Sequence, residues 1–221
     1  DVLDQADLRR GKPTVVSLAG RDAAISTGDL LFARAFLAIT ESGDAEAVQL
    51  LSDACSALAR GELLQRADSW DSSISRERYL ERCELKTARL FEAACAIAAT
   101  ISAEPAPELA SFGRKIGVAF QVLDDVLDVS GPPERTGKER GTDLLDGTVT
   151  LPLIIAREND SSLASLELRS VESAAAAEAL CDRIAASGAL EQSRAFALEL
   201  VASAKQELPE ELDDRRRGSL E

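Results

Sequence analysis

The chain has 221 residues, 45% of them apolar and 29% charged, with a net charge of −14 at pH 7. That length suits one domain able to bury a core without disulfides or structural metals, and the composition is that of a globular chain rather than a disordered one. The acidic balance, with no strongly basic stretch, argues against nucleic-acid binding through phosphate contacts. Alanine and leucine dominate and aromatics are only 4%, which favours helix over sheet. Residues 1–11 read as the end of a helix, broken by Lys12-Pro13-Thr14. The segment from about Val15 to Thr40 carries Leu30, Leu31, Phe32, Phe36, Leu37 and Ile39, a density that predicts a helix buried on several sides. After a turn at 41–44, an amphipathic helix is predicted over about 45–67, a polar loop over 68–75, and one helix over about 76–101, punctuated by Pro105 and Pro107. The next helix spans about 108–129, and 130–146 reads as a mobile loop rich in Gly, Pro and charge, of a length that is usually functional. A short helix around Leu151–Ile155 and two or three more between about 170 and 208 complete an all-α chain without strand alternation.

There is no histidine, and Cys55, Cys83, Cys95 and Cys181 form no CxxC pair, which argues against zinc sites and against Ser-His or Cys-His catalysis. The cysteines read as reduced, small apolar residues of a cytoplasmic protein. No signal-peptide pattern is seen, and no apolar run reads as long enough for a transmembrane segment. Methionine is absent, so Asp1 is not expected to be the natural start.

The strongest chemical signal is Phe120-Gln121-Val122-Leu123-Asp124-Asp125-Val126-Leu127-Asp128. Asp124 and Asp128 lie one helical turn apart on one face, with Gln121 a turn earlier. Two carboxylates about 5 Å apart repel by roughly 3 kcal/mol at an effective dielectric of about 20. A fold that gathers them beside apolar neighbours needs a compensating cation or a raised pKa, and carboxylates in open arrangement suit magnesium. The alternative is an exposed acidic stripe on an amphipathic helix. At the start of the chain, Asp1 and Asp4 precede Arg9-Arg10: carboxylates for metal, then guanidinium forks for phosphate. Taken alone, a frayed, solvated helix end explains them better. Lys86-Thr87 could donate to a phosphate, and the glycine-flanked Lys138 could fold over a bound anion, although most such lysines are solvated.

In order along the chain, DxxDxxxxRRGKPT, GDLLFARAF, GELLQ, KTARLF, FQVLDDVLD, GKERGTDL and TLPLI resemble the trans-type polyprenyl diphosphate synthase family. The resemblance implies an antiparallel helical bundle around a deep central cavity, a single domain over 1–221 with its N-terminal helices missing and both ends incomplete. It implies that Asp1 and Asp4 belong to a first metal motif and Asp124, Asp125 and Asp128 to a second, holding three magnesium ions around an allylic diphosphate. Arg9 is implied as a ligand of the allylic diphosphate and Arg10 of isopentenyl diphosphate. Lys86, Thr87, Gln121 and Lys138 are implied as further allylic-diphosphate contacts, with Lys86, Gln121 and Asp124 nearest the chemistry and Asp143 an acidic position near the metals. Thr148 stands where many relatives carry lysine or arginine.

The implied reaction is prenyl transfer: the allylic diphosphate ionises, the double bond of isopentenyl diphosphate attacks the cation, and a proton is lost. The growing tail would lie in the apolar cavity between helices. A homodimer is expected, with Val15 to Thr40 as its candidate face. The rival readings are a non-catalytic partner subunit of a heteromeric synthase and, further behind, a terpene cyclase.

Overall fold

The structure, a computed structural model, describes residues 2, 7–9, 11–102, 106–131, 140–209 and 214–220. Its elements are β1 (Leu8–Arg9), β2 (Lys12–Pro13), α1 (Val15–Thr40), α2 (Ala45–Ala67), α3 (Arg76–Cys83), a π-helical turn (Glu84–Ala88), α4 (Arg89–Ile101) and α5 (Glu108–Ser130). They continue as α6 (Thr142–Leu145), α7 (Leu151–Asn159), α8 (Ser161–Ala164), a 3-10 turn (Leu168–Ser170), α9 (Ala174–Ala186), α10 (Ala189–Gln206) and α11 (Asp214–Leu220). The all-α expectation holds.

Helix starts follow local chemistry. Asp44 accepts from the N–H groups of Glu46 and Ala47, Ser75 from that of Arg78, and Ser173 from that of Ala176, each satisfying donors that the first turn leaves without a partner. α5 lies at the centre, packed against α4 on one side and α10 on another, while α2 lies along α4 and the π turn. The main core joins Tyr79, Val122, Val126 and Val129 to Leu144, Leu151, Leu153, Leu168, Leu180 and Ile184. Each fully buried aliphatic side chain there contributes roughly 1.5–3 kcal/mol.

Three expectations are corrected. The described residues before α1 do not end a helix: Leu8 pairs with Pro13 and Arg9 with Lys12 in an antiparallel ladder, since Pro13 has no N–H for a helix interior but tolerates an edge. Residues 76–101 are not one regular helix, because the π turn inserts an extra residue between α3 and α4. It is gripped from both sides: a Cβ on Gly61 of α2 would lie 2.5 Å from the Lys86 backbone nitrogen, and one on Gly117 of α5 2.5 Å from the Ala88 Cα.

The third correction concerns α1, where no residue is buried. Leu18 is 72% exposed and Leu31 63%. Its apolar residues surround the axis and it packs mainly along α2, so one neighbour cannot cover them. α1 is also the one described helix long and apolar enough, by length and composition, to cross a membrane; the reading that no run reaches that length does not hold.

Candidate active site

Helical periodicity sorts the aspartates of α5. The buried stripe of this helix runs through Val118, Val122, Val126 and Val129, and Asp125 falls within it at 5% exposure. Asp124, one residue earlier and about 100° round the helix, is exposed, while Asp128 is half-buried. Adjacent carboxylates therefore meet different surroundings.

Asp125 is held by two donors. The Tyr79 hydroxyl donates to its Oδ2 at 2.6 Å, and Gln121 Nε2 donates to its Oδ1 at 2.9 Å. Gln121 thus pairs with Asp125, not with the face of Asp124. Thr87, in the π turn, donates from Oγ1 to Gln121 Oε1 at 2.6 Å. The chain of bonds fixes the amide orientation of Gln121, since each end of that amide has one compatible partner. Burial, then the neighbouring Asp143 charge, push the Asp125 carboxyl up to about 7, although the bonds from Tyr79 and Gln121 and the Arg82 charge pull the other way. Burial, then the Asp125 charge, push the Cys83 thiol beside it up to about 12, so this cysteine is an inert thiol rather than a nucleophile.

A cavity of about 310 Å³ opens beside this network, lined by Glu62 and Gln65 of α2, Tyr79, Arg82 and Cys83 of α3, Lys86 of the π turn, Gln121, Asp124 and Asp125 of α5, and Thr142, Asp143, Asp146, Thr148 and Thr150 beyond. Lys86 pairs with Glu62 at 3.1 Å and donates to Gln65 Oε1 at 3.1 Å. Arg82 donates to the Val149 carbonyl, tying α3 to the segment before α7. The Asp143 N–H lies 3.3 Å from Asp128 Oδ2, and Gly141 N donates to the Asp128 carbonyl at 2.9 Å, so the end of α5 clasps the start of α6.

The structure thus brings Lys86, Gln121, Asp124 and Asp125 to one cavity, with Thr87 bonded to Gln121 and Asp128 just behind. Asp1, Asp4, Arg10 and Lys138 lie outside the described residues, as does the side chain of Arg9. Of the predicted 130–146 loop, residues 132–139 lie outside the description, and the remainder is the end of α5 and the helical turn α6. The two carboxylate oxygens of Asp125, expected on metal, each accept from a protein donor, and each keeps a second lone pair. Among the described residues no group of three or more acidic or cysteine side chains is close enough to hold an ion alone. Magnesium does not need such a cage: it keeps waters and shares phosphate oxygens with one or two carboxylates, and Asp124, Asp143 and Asp146 on one cavity wall fit that manner of binding.

Sequence reasoning missed Tyr79, Arg82 and Asp146. The signals were present: Tyr79 is the only tyrosine, and it lies seven residues before Lys86 with Arg82 between them, along one face of a helix that needed apolar contacts. Glu62 and Gln65 stood in the GELLQ motif without an assigned role.

The site is thus an acidic cavity in a helical bundle, with lysine and arginine among its carboxylates. The chain is a member of the polyprenyl synthetase family, whose profile, described as Polyprenyl synthetase, matches residues 1–185. It is 35% identical over 211 residues to a prenyl transferase of Synechocystis sp., covering 94% of this chain and 65% of that protein. It is 39% identical over 169 residues to heptaprenyl diphosphate synthase component 2 of Geobacillus stearothermophilus, covering 75% of this chain and 53% of that protein. Among solved structures, it is similar to a polyprenyl synthase from Caulobacter crescentus complexed with calcium and isoprenyl diphosphate, with a TM-score of 0.92 and 33% identity over 100% of this chain and 70% of the other. The chain therefore spans between half and two thirds of the length of these curated relatives.

Proposed function

We propose that this chain is the greater part of a trans-prenyltransferase, which condenses isopentenyl diphosphate with an allylic diphosphate to give a longer polyprenyl diphosphate. The observation that carries this reading is the meeting of Lys86 of the π turn with Gln121 and Asp124 of α5 in one cavity, from two motifs on separate elements. The similar Caulobacter polyprenyl synthase, complexed with calcium and isoprenyl diphosphate, supports the ligand class.

In this reading Asp124, Asp125 and Asp128, with Asp1 and Asp4, hold magnesium, three ions in all, and the domain covers residues 1–221. Bound magnesium neutralises charge on the leaving diphosphate. Lys86 adds a cation by exchanging Glu62 for a phosphate oxygen. Thr87 and Gln121 are held in register through the Asp125 carboxylate, which the Tyr79 hydroxyl steadies. Arg9, Arg10 and Lys138 supply further cations to the two diphosphates. The departing diphosphate is the acceptor for the proton lost.

The protein is further proposed to be a homodimer paired through α1, and to work in the cytoplasm, where its four free cysteines stay reduced. A second reading, a subunit of a heteromeric synthase, draws on the relative named component 2. The test is to purify the full-length protein alone, supply magnesium, labelled isopentenyl diphosphate and farnesyl or geranylgeranyl diphosphate, and separate the products by chain length. Elongation by the lone protein supports the first reading; elongation only with a partner supports the second; none under either condition removes both.

A further inference from the structure

Arg82 is charged yet only 3% exposed, and it lines the cavity. Among the described residues its guanidinium makes one hydrogen bond, from Nη2 to the Val149 carbonyl, and no ion pair. One face lies 5.6 Å from the centre of the Tyr79 ring. A guanidinium has five N–H donors in a planar fork, and no buried nitrogen of this one is sealed off without a partner. Its remaining donors therefore open on the cavity. Asp125 lies within electrostatic reach of Arg82 but is bonded to Tyr79 and Gln121 and forms no ion-pair contact with it.

Burying a full charge with donors left over is costly unless an anion completes it. The anion is defined by the rest of the wall. Asp124, Asp143 and Asp146 would repel a bare anion but accept one that carries divalent cations. Lys86 pairs with Glu62 of α2; Arg82, four residues earlier in the chain, is bonded to Val149 and close to the uncharged Thr148. A metal-loaded diphosphate meets both sets at once, cations on the carboxylates and phosphate oxygens on the two basic side chains, and a guanidinium fork matches phosphate oxygens in geometry.

We propose that Arg82 is a diphosphate-binding residue, the cation that receives phosphate oxygens on the side of the cavity formed by residues 148–150. The proposal rests on the prenyl-transfer reading and adds a residue to it. The test is calorimetric titration of inorganic pyrophosphate, with magnesium present, into the full-length protein and into Arg82→Gln, Arg82→Lys and Arg82→Gln/Thr148→Lys. Glutamine keeps a donor for the Val149 carbonyl without the charge. Arg82→Gln is expected to weaken binding by about tenfold or more, as for loss of a charge-assisted bond, and Arg82→Lys by less. Thr148→Lys on the Arg82→Gln background, which returns a cation to the same wall, is expected to recover most of the loss. A merely structural role would lower the melting temperature of Arg82→Gln without any such recovery. Unchanged affinity in Arg82→Gln, or no recovery in the double variant, overturns the proposal while leaving prenyl transfer intact. Absence of pyrophosphate binding by the unaltered protein would instead overturn the prenyl-transfer reading and this proposal with it. If Arg82→Gln does not fold, Thr148→Lys alone decides: tighter pyrophosphate binding supports the assignment, and no change overturns it.

Discussion

The hydroxyl of Tyr79, the largest fully buried side chain of the core, donates to Asp125 at 2.6 Å across two helices. The bond ties a carboxylate of the aspartate-rich helix inward, away from the cavity mouth where Asp124 stands. It also places an ionisable group where charge is disfavoured, and the first prediction follows from that. The folded-state value of Asp125 is about 7, against an ordinary 3.8. Because the folded value is the higher, the native state binds the proton more tightly. The stability contributed is full below about pH 4 and is lost as pH rises through about 7. Metal-free protein is therefore expected to melt progressively lower between pH 5 and 8. Asp125→Asn, which cannot ionise and retains an acceptor for Gln121, should flatten that slope and melt higher than the parent at pH 8. Melts at several pH values check this; parallel slopes in the two proteins would count against it.

Asp124 is exposed, so Asp124→Asn should leave the metal-free stability within about 0.5 kcal/mol of the parent, as for a surface change. Turnover should fall by about two to three orders of magnitude, the effect of losing several kcal/mol of metal-borne charge stabilisation. Steady-state kinetics with labelled isopentenyl diphosphate give the answer, and near-normal turnover would remove Asp124 from the metal site.

Gly61 sets the position of the π turn. A methyl group there would lie 2.5 Å from the Lys86 nitrogen and 2.8 Å from its Cα, and backbone cannot yield as a flexible side chain would. Gly61→Ala is expected to cost about 1–3 kcal/mol of stability, as for overpacking, and to displace Lys86 and Thr87 from Gln65 and Gln121. The Michaelis constant for the allylic diphosphate should rise in the folded fraction. A variant with parental melting temperature and parental constants would show that α2 does not hold the turn in place.

The uncovered apolar surface of α1 leads to the last prediction. Leu31 and Leu37 are 63% and 61% exposed, and single-chain packing covers neither. In a homodimer paired through this helix, Leu31→Glu with Leu37→Glu should shift the sedimentation coefficient from dimer to monomer, because buried carboxylates without partners oppose association. A parent that sediments as a monomer at micromolar concentration would rule out pairing through α1.

Much of this was written locally. Apolar spacing and breakers such as Pro107 placed α2 and α5 within a residue or two, and the end of α4, since these signals act over one or two turns. The order of motifs singled out Lys86, Thr87, Gln121 and Asp124, and all four meet at or beside one cavity. Even the inward turn of Asp125 was readable from its place on the Val118–Val122–Val129 stripe. Sequence by itself could not say that Tyr79 waits for Asp125, that Arg82 and Thr148 share a wall, or that Glu62 neutralises Lys86, because periodicity fixes a residue's angle on its own helix and nothing about which helix comes to face it. Nor could it distinguish α1, dense in leucine and exposed, from α7, dense in leucine and buried. Burial depends on how many neighbours reach a helix, and only the tertiary structure decides that.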